Sequence, residues 1–201
     1  MVLIQPRSLC CLLFLFALTA TAGPHKEIDL KTSSDADGGE RQVSICARPS
    51  PGAGVPGHMF VALSEKLPNQ ERIYLAVGHT TSAPPLAAVL SYNGLLVTVS
   101  GYIGEEKYTA SQEQCLVLNV NRAAYVQTMA MVQPDLSKLL PGISPPSTGN
   151  PVLLAYSLGA NDCMSLAINI ATSFHDKGIT IPKREIAELP MTYVRRLIDA
   201  N

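Results

Sequence analysis

Short apolar runs alternate with turn-forming residues between residues 42 and 120. Five β-favouring runs, separated by segments rich in Pro, Gly, Asn and Ser, predict an antiparallel sheet: QVSICA, GHMFVALS, RIYLAV, LLVTVSGYI and QCLVLNV. The period changes at Asn121, where NRAAYVQTMAMVQ places apolar residues at helical spacing behind an Asn cap. A short strand, VLLAYS, then precedes two helical segments, one at 162–177 and one at about 183–199 that Pro190 interrupts. Strands first and helices after predict an α+β domain.

The first 22 residues have the pattern of a secretory signal peptide. Arg7 gives a basic start, residues 9–18 are uninterruptedly apolar, and Ala20-Thr21-Ala22 fits a cleavage site. The apolar stretch is shorter than the roughly 20 residues that a membrane span needs. Residues 23–41 are polar and predict a flexible leader before one domain over 42–201. We therefore expect an exported protein, periplasmic or secreted, with no membrane span after signal cleavage.

Charge and aromatic content argue against a nucleic-acid or lipid-surface partner. The chain has 15 Lys and Arg against 16 Asp and Glu, and no block of like charge. It has no Trp and only 5% aromatic residues. Proteins that hold phosphate backbones need basic patches, and those that hold single strands add aromatic stacking surfaces. We expect no nucleic-acid partner.

Three cysteines follow the signal peptide, and an odd number in an exported protein leaves at least one without an intrachain partner. Cys46 and Cys115 lie in predicted strands, where neighbouring strands can bring them within disulfide range, so we expect that pair. Cys163 then lies in the first turn of a predicted helix capped by Asn161, where free N–H groups and the helix dipole stabilise a thiolate. A free cysteine can also be a small core residue, and position alone favours neither interpretation.

A nucleophilic thiol needs an imidazole as its proton acceptor. His25 belongs to the predicted leader, and His175 would lie about 18 Å from Cys163 along one helix, so neither fits. His58 begins the run GHMFVALS and is a candidate base, although a histidine at the edge of a buried strand is more often structural. His79 ends the next run, and the pattern there favours neither a surface histidine in a loop nor a functional role.

The order of these motifs resembles the circularly permuted papain-like fold. GHMFVAL early in a sheet, a polar residue on the next strand and a late YSLGANDC opening a helix are similar to members of this group. The group is related to NlpC-type cell-wall peptidases and includes lecithin retinol acyltransferase-like enzymes. The resemblance covers about residues 42–180. It implies Cys163 as the nucleophile, His58 as the base and His79 as the third residue.

Members of this group differ in the third residue of the catalytic site. Retinol-type members place a second histidine there, whereas other permuted members have a glutamate or another polar residue, so Glu71 is the alternative to His79. Asp162 directly before the cysteine departs from the family pattern, as does the long gap between the two histidine-bearing runs.

The residues and the resemblance together predict a cysteine hydrolase or acyl-transfer enzyme that attacks an amide or ester and forms a thioester. Tyr156 and the first N–H groups of the Cys163 helix would hold the oxyanion. A cell-wall peptide, a protein amide and a lipid acyl ester all fit as substrates. No cofactor is expected, and no metal, because no His, Cys and carboxylate cluster has ligand spacing. The competing hypothesis is a non-enzymatic exported binding or accessory domain that keeps the fold.

Overall fold

The computed structural model describes residues 25–32, 35–49, 57–94, 96–106, 113–132 and 155–201. Its seven strands form one mostly antiparallel sheet in the order β1-β6-β2-β3-β4-β5-β7. The strands are β1 His25–Asp29, β2 Glu40–Arg48, β3 His58–Lys66, β4 Ile73–Thr81, β5 Val99–Glu105, β6 Gln114–Val120 and β7 Ala155–Tyr156. The helices are α1 Pro85–Leu90, α2 Arg122–Val132, α3 Cys163–Thr172 and α4 Pro190–Asp199. The predicted α+β class is confirmed.

The sheet buries both of its faces. Because side chains alternate along a strand, Met59, Val61 and Leu63 of β3 join the core cluster that includes residues of α2, α3 and α4. Phe60 and Ala62 point the other way and form a second cluster. Helix α3 packs against β3 and β4, and this contact brings the start of α3 to the sheet.

The predicted disulfide is confirmed. Cys46 and Cys115 lie opposite each other in the antiparallel pairing of β2 and β6, and their sulfur atoms are bonded. The bridge joins residues 69 positions apart, and the chain-entropy model assigns such a loop about 4 kcal/mol of stability. Cys163 is the free cysteine of the described residues and is buried.

Two expectations about secondary structure differ from what the structure shows. His25–Asp29, inside the predicted leader, form strand β1, which pairs in parallel with β6. An edge strand needs only backbone partners, so its polar composition did not reveal it. The pattern also predicted a helical segment over about 183–199 interrupted by Pro190, but only the part from Pro190 is helical. Proline suits the first turn of a helix and not its interior.

Helix α2 agrees with the sequence pattern, whereas helix α1 was not predicted. Asn121 caps α2 as expected, through a 3.0 Å bond from the Ala124 N–H to its side-chain oxygen. Residues 85–90 form the short helix α1. Pro85 is the last residue of the predicted loop HTTSAPP, and no helix was predicted directly after it. No helix among the described residues is long and apolar enough to cross a membrane. The predicted signal peptide lies outside the described residues.

Candidate active site

Cys163 is the first residue of helix α3, and the turn before it is held by side chains. Asp162 is the N-cap, since its Oδ1 atom accepts a 3.1 Å bond from the Ser165 N–H. The expectation that Asn161 is the cap is therefore wrong. Asn161 instead pairs with Ser157 in an isolated bridge, and the helix cap lies one residue later than the sequence suggested. Cys163 keeps its expected place in the first turn, where N–H groups lack partners within the helix.

His58 and Cys163 line the same cavity, although 105 positions separate them in the chain. The cavity has a volume of about 570 Å³ and also exposes Tyr156 of β7. Strands β3 and β4 pair from Val61 and Val77 to Glu65 and Ile73. His58 begins β3 and therefore lies beyond the residues that pair with β4. The structure thus brings the predicted base and the predicted nucleophile to one opening.

A carboxylate that the sequence did not predict lies beside His58. Oε1 of Glu106 is 2.9 Å from His58 Nε2. The ring N–H is not aimed for a well-directed hydrogen bond, so we describe the contact as an ion pair. The other carboxylate oxygen accepts a bond from Arg48. Glu106 is therefore held from two sides, with only 12% of its side chain exposed.

Gly78 makes room for this pair. A Cβ atom at Gly78 would overlap His58 Nε2 and would lie 3.1 Å from Glu106 Oε1. The backbone N–H of Glu106 bonds the Ala76 carbonyl at 2.8 Å, which fixes the carboxylate next to β4. The absence of a side chain at Gly78 allows the imidazole to lie directly against the strand.

The surroundings of His58 favour the protonated form of its imidazole. Burial alone lowers the pKa of His58, but its interactions with Cys163 and Glu106 outweigh burial and raise the pKa to about 9. Burial likewise raises the pKa of Glu106, yet His58 and Arg48 hold it below its ordinary value. An imidazolium beside a thiol favours the thiolate, because opposite charges stabilise each other in a buried site.

His79 lies apart from this arrangement. It is fully buried, and neither ring nitrogen has a hydrogen-bond partner among the described residues. Burial lowers its pKa; the nearby backbone of Asp162 opposes that effect without completing a hydrogen bond. The ring lies over Gly101 and meets Tyr156 edge to face, with centroids 5.3 Å apart. His79 and Gly78 are neighbours in β4 and so point to opposite faces, which separates His79 from Glu106.

Glu71, the alternative third residue, is exposed in the turn between β3 and β4. Glu65 of β3 pairs with Ile73 at that end of the sheet, whereas His58 begins β3. Seven residues at about 3.3 Å each separate the two ends by roughly 23 Å, so Glu71 does not reach His58. Tyr156, the predicted oxyanion residue, lines the cavity, and burial raises the pKa of its hydroxyl.

No family model, curated protein or solved structure matches this chain. The chemical argument therefore depends on the cavity itself. The described residues contain no group of three or more His, Cys, Asp or Glu side chains arranged to hold a metal ion.

Proposed function

We propose that this protein is an exported cysteine hydrolase or acyl-transfer enzyme with a permuted papain-like catalytic arrangement. The observation that carries the proposal is the position of His58, which lines the same cavity as Cys163 and lies 2.9 Å from the largely buried Glu106 carboxylate. Glu106 takes the orienting role that the resemblance assigned to His79. A thiol, an imidazole and a group that orients the imidazole form the constellation of thiol-dependent acyl transfer.

The reaction follows from this arrangement. His58 takes the proton of Cys163, and the thiolate attacks the carbonyl carbon of an amide or ester. The oxyanion forms near the first N–H groups of α3, with the Tyr156 hydroxyl on the same cavity. His58 then protonates the leaving amine or alcohol, leaving a thioester on Cys163. Water or another acceptor, deprotonated by His58, releases the acyl group and restores the thiol.

The cavity favours an uncharged, apolar acyl group. Its walls are mainly apolar and include Val89 of α1, Leu158 and Met164. The charged side chains on the cavity have partners of opposite charge: Arg48 with Glu106, Arg184 with Asp162, and Glu188 with Arg196. An ionised acyl group would find no free countercharge among these described residues. Lipid acyl esters and apolar peptide acyl groups fit better than acidic or basic ones.

The test is acylation of the protein by neutral p-nitrophenyl esters with acetyl, butyryl and octanoyl groups. We expect release of p-nitrophenol, an acyl group on Cys163 detected by peptide mass spectrometry, and faster reaction with the longer acyl groups. The Cys163→Ala variant is the control and should show neither product nor adduct. Adding an alcohol or amine acceptor separates transfer from hydrolysis. If no ester acylates Cys163 in the folded protein, the non-enzymatic binding domain is the better description.

Export is part of the proposal. It is supported by the signal-peptide pattern of residues 1–22 and by the Cys46–Cys115 disulfide, because such bonds persist in oxidising compartments. We expect the protein made in its native cells to begin at Gly23 and to be recovered outside the cytoplasm. Intact-mass measurement of the purified protein checks the cleavage site. A protein that retains Met1 and stays in the cytoplasm would contradict export without affecting the chemistry.

A further inference from the structure

A second ion pair, between Arg184 and Asp162, involves the residue directly before the nucleophile. Both terminal nitrogens of the Arg184 guanidinium donate hydrogen bonds to the Asp162 carboxylate, Nη1 to Oδ1 at 2.9 Å and Nη2 to Oδ2 at 2.7 Å. The Asp162 side chain is 1% exposed and that of Arg184 is 19% exposed. Both residues line the cavity that contains Cys163. Two parallel bonds of this kind fix orientation as well as charge.

Asp162 also ties together the chain on either side of itself. Its Oδ2 atom accepts a 2.7 Å bond from the N–H of Gly159, which has the left-handed φ of 87° that favours glycine. Its Oδ1 atom accepts the N–H of Ser165 in the first turn of α3. The turn that delivers Cys163 is therefore built around one buried carboxylate.

That carboxylate creates an electrostatic problem for the adjacent residue. Asp162 immediately precedes Cys163, and its partners hold its pKa below the ordinary value against the effect of burial, so it is an anion. A second anion on Cys163 would be repelled by it, and the repulsion is strong where water is excluded. The countercharge comes from Arg184: burial opposes its charge, but Asp162 and then Cys163 raise its pKa.

Arg184 is held in place from the far side by helix α4. Its segment, residues 182–189, has no helix or strand, but the Tyr193 hydroxyl bonds the Pro182 carbonyl at 2.9 Å. Arg196 bonds the side chain of Glu188 at 2.7 Å. These contacts fix both ends of the segment, so Arg184 reaches Asp162 from an anchored backbone.

We propose that Arg184 is a positioning residue for the nucleophile, which keeps the Asp162 turn in place and neutralises the charge that would otherwise oppose the Cys163 thiolate. This inference rests on the proposed function. Other ionisable groups face the same space from several elements, so the test must isolate the Arg184–Asp162 pair. Arg48 on β2, His58 on β3, Tyr92, Tyr156 on β7 and Glu188 line the cavity, and two further groups lie close to this lining: His79 on β4, near the Asp162 backbone, and Glu106, beside His58.

The experiment measures the pH midpoint of iodoacetamide alkylation of Cys163 in the folded full-length mature protein. Arg184→Gln leaves Asp162 uncompensated, so we expect the midpoint to rise by about one pH unit or more. Asp162→Asn keeps a good N-cap and leaves Arg184 unopposed, so the midpoint should fall below that of the wild type. The double variant should return the midpoint towards the wild-type value. A purely structural role would not give opposite shifts that cancel.

Arg184→Lys separates charge from geometry. Lysine keeps the positive charge but cannot form the two parallel bonds, so the midpoint should stay near the wild-type value while kcat/KM falls severalfold. Arg72→Gln is the matched control. Arg72 forms an ion pair with Glu40 at the start of β2, whereas Arg48, which pairs with His58, lies at the end of β2. This variant should leave the midpoint unchanged.

The inference is overturned if Asp162→Asn leaves the midpoint unchanged or raises it, or if a folded Arg184→Gln protein shows no rise. These outcomes differ from failure of the proposed function, in which the wild-type thiol would be unreactive towards esters and its alkylation would follow an ordinary thiol. The Asp162→Asn measurement remains decisive if Arg184→Gln does not fold.

Discussion

His58, which is partly exposed, and His79, which is fully buried, lie on neighbouring strands, and each ring lies over a glycine of an adjacent strand, Gly78 for His58 and Gly101 for His79. Their electrostatics nevertheless differ in sign. His58 opens onto the cavity, contacts Glu106 and has a raised pKa, whereas His79 is sealed from solvent and has a lowered pKa. Burial and close packing are common to both. A carboxylate partner and a place on the cavity with Cys163 distinguish the proposed base from a packing residue.

The largest predicted effect is on turnover. His58→Ala should reduce kcat/KM by about 10⁴-fold or more on any ester that acylates Cys163, because the thiol then lacks its proton acceptor. His79→Ala should reduce kcat/KM by about tenfold or less, since His79 lies on the other face of β4 from Glu106. Steady-state kinetics on both variants measures the contrast.

Stability measurements keep that contrast interpretable. His79→Ala leaves a cavity in the core and should lower the free energy of unfolding by about 1–3 kcal/mol, measured by urea denaturation. His58→Ala should cost less because its ring is partly exposed. Equal losses of turnover in two equally folded variants would show that His79 belongs to the catalytic group after all.

The second prediction concerns the residue that orients the base. Glu106→Gln removes the charge but keeps the shape, so kcat should fall by about 10²- to 10⁴-fold while the protein stays folded. Glu105→Gln is the matched control: Glu105 is adjacent and exposed, and its loss should change kcat less than twofold. A Glu106→Gln protein with full kcat would remove Glu106 from the mechanism and leave His58 without an orienting group.

Sequence reasoning singled out His58 and Cys163 as candidates but not Glu106, and the reason is physical. Cys163 and His58 are each marked locally, by a helix start and a strand start. The position of Glu106 beside His58 depends on the register between β4 and β5, in which Gly78 pairs with Gly104. Register between distant strands leaves no local sequence pattern. The one available signal was the Glu105-Glu106 pair, the first carboxylates after a run of 32 residues, 73–104, without Asp, Glu, Lys or Arg.

The fold itself was more accessible to sequence reasoning than the site. Each of the central strands β2, β3, β4 and β6 was predicted, because its apolar run is bounded by turn residues. The edge strand β1 was missed because a polar strand is stabilised by backbone pairing with β6, which composition does not report. The start of α4 was misplaced because a proline at position 190 can either break a helix or begin one.

The two glycines provide the third test of the comparison. A methyl group at Gly78 would displace the His58 ring from Glu106, so Gly78→Ala should lower kcat/KM by about 10²-fold. Gly101→Ala should displace His79 and lower the free energy of unfolding by about 1–3 kcal/mol, with a much smaller effect on kcat/KM. If both alanine variants have the same kinetic effect, the two imidazoles are not functionally distinct.

The smallest predicted effect is on the pH dependence of stability, where the two histidines should act in opposite directions. The pKa of His58 is raised from 6.5 to about 9, so its stabilisation is complete below pH 6.5 and is lost between pH 6.5 and about 9. The pKa of His79 is lowered by burial, so its contribution is complete above pH 6.5 and is lost as pH falls below it. Urea unfolding should show a weaker alkaline loss in His58→Gln and a weaker acid loss in His79→Gln. The same pH profile in both variants would contradict the assigned charge states.

The most direct test of the central claim is the rate of Cys163 alkylation by iodoacetamide as a function of pH, in the folded wild type and in His58→Ala. The account predicts that the wild type reacts well below the range of an ordinary thiol, whose pKa is about 8.5, because the His58 imidazolium, which Glu106 stabilises, favours the thiolate. His58→Ala should shift the profile up into that range. A wild-type thiol that reacts only after denaturation, or one whose profile is unchanged by His58→Ala, would contradict the account.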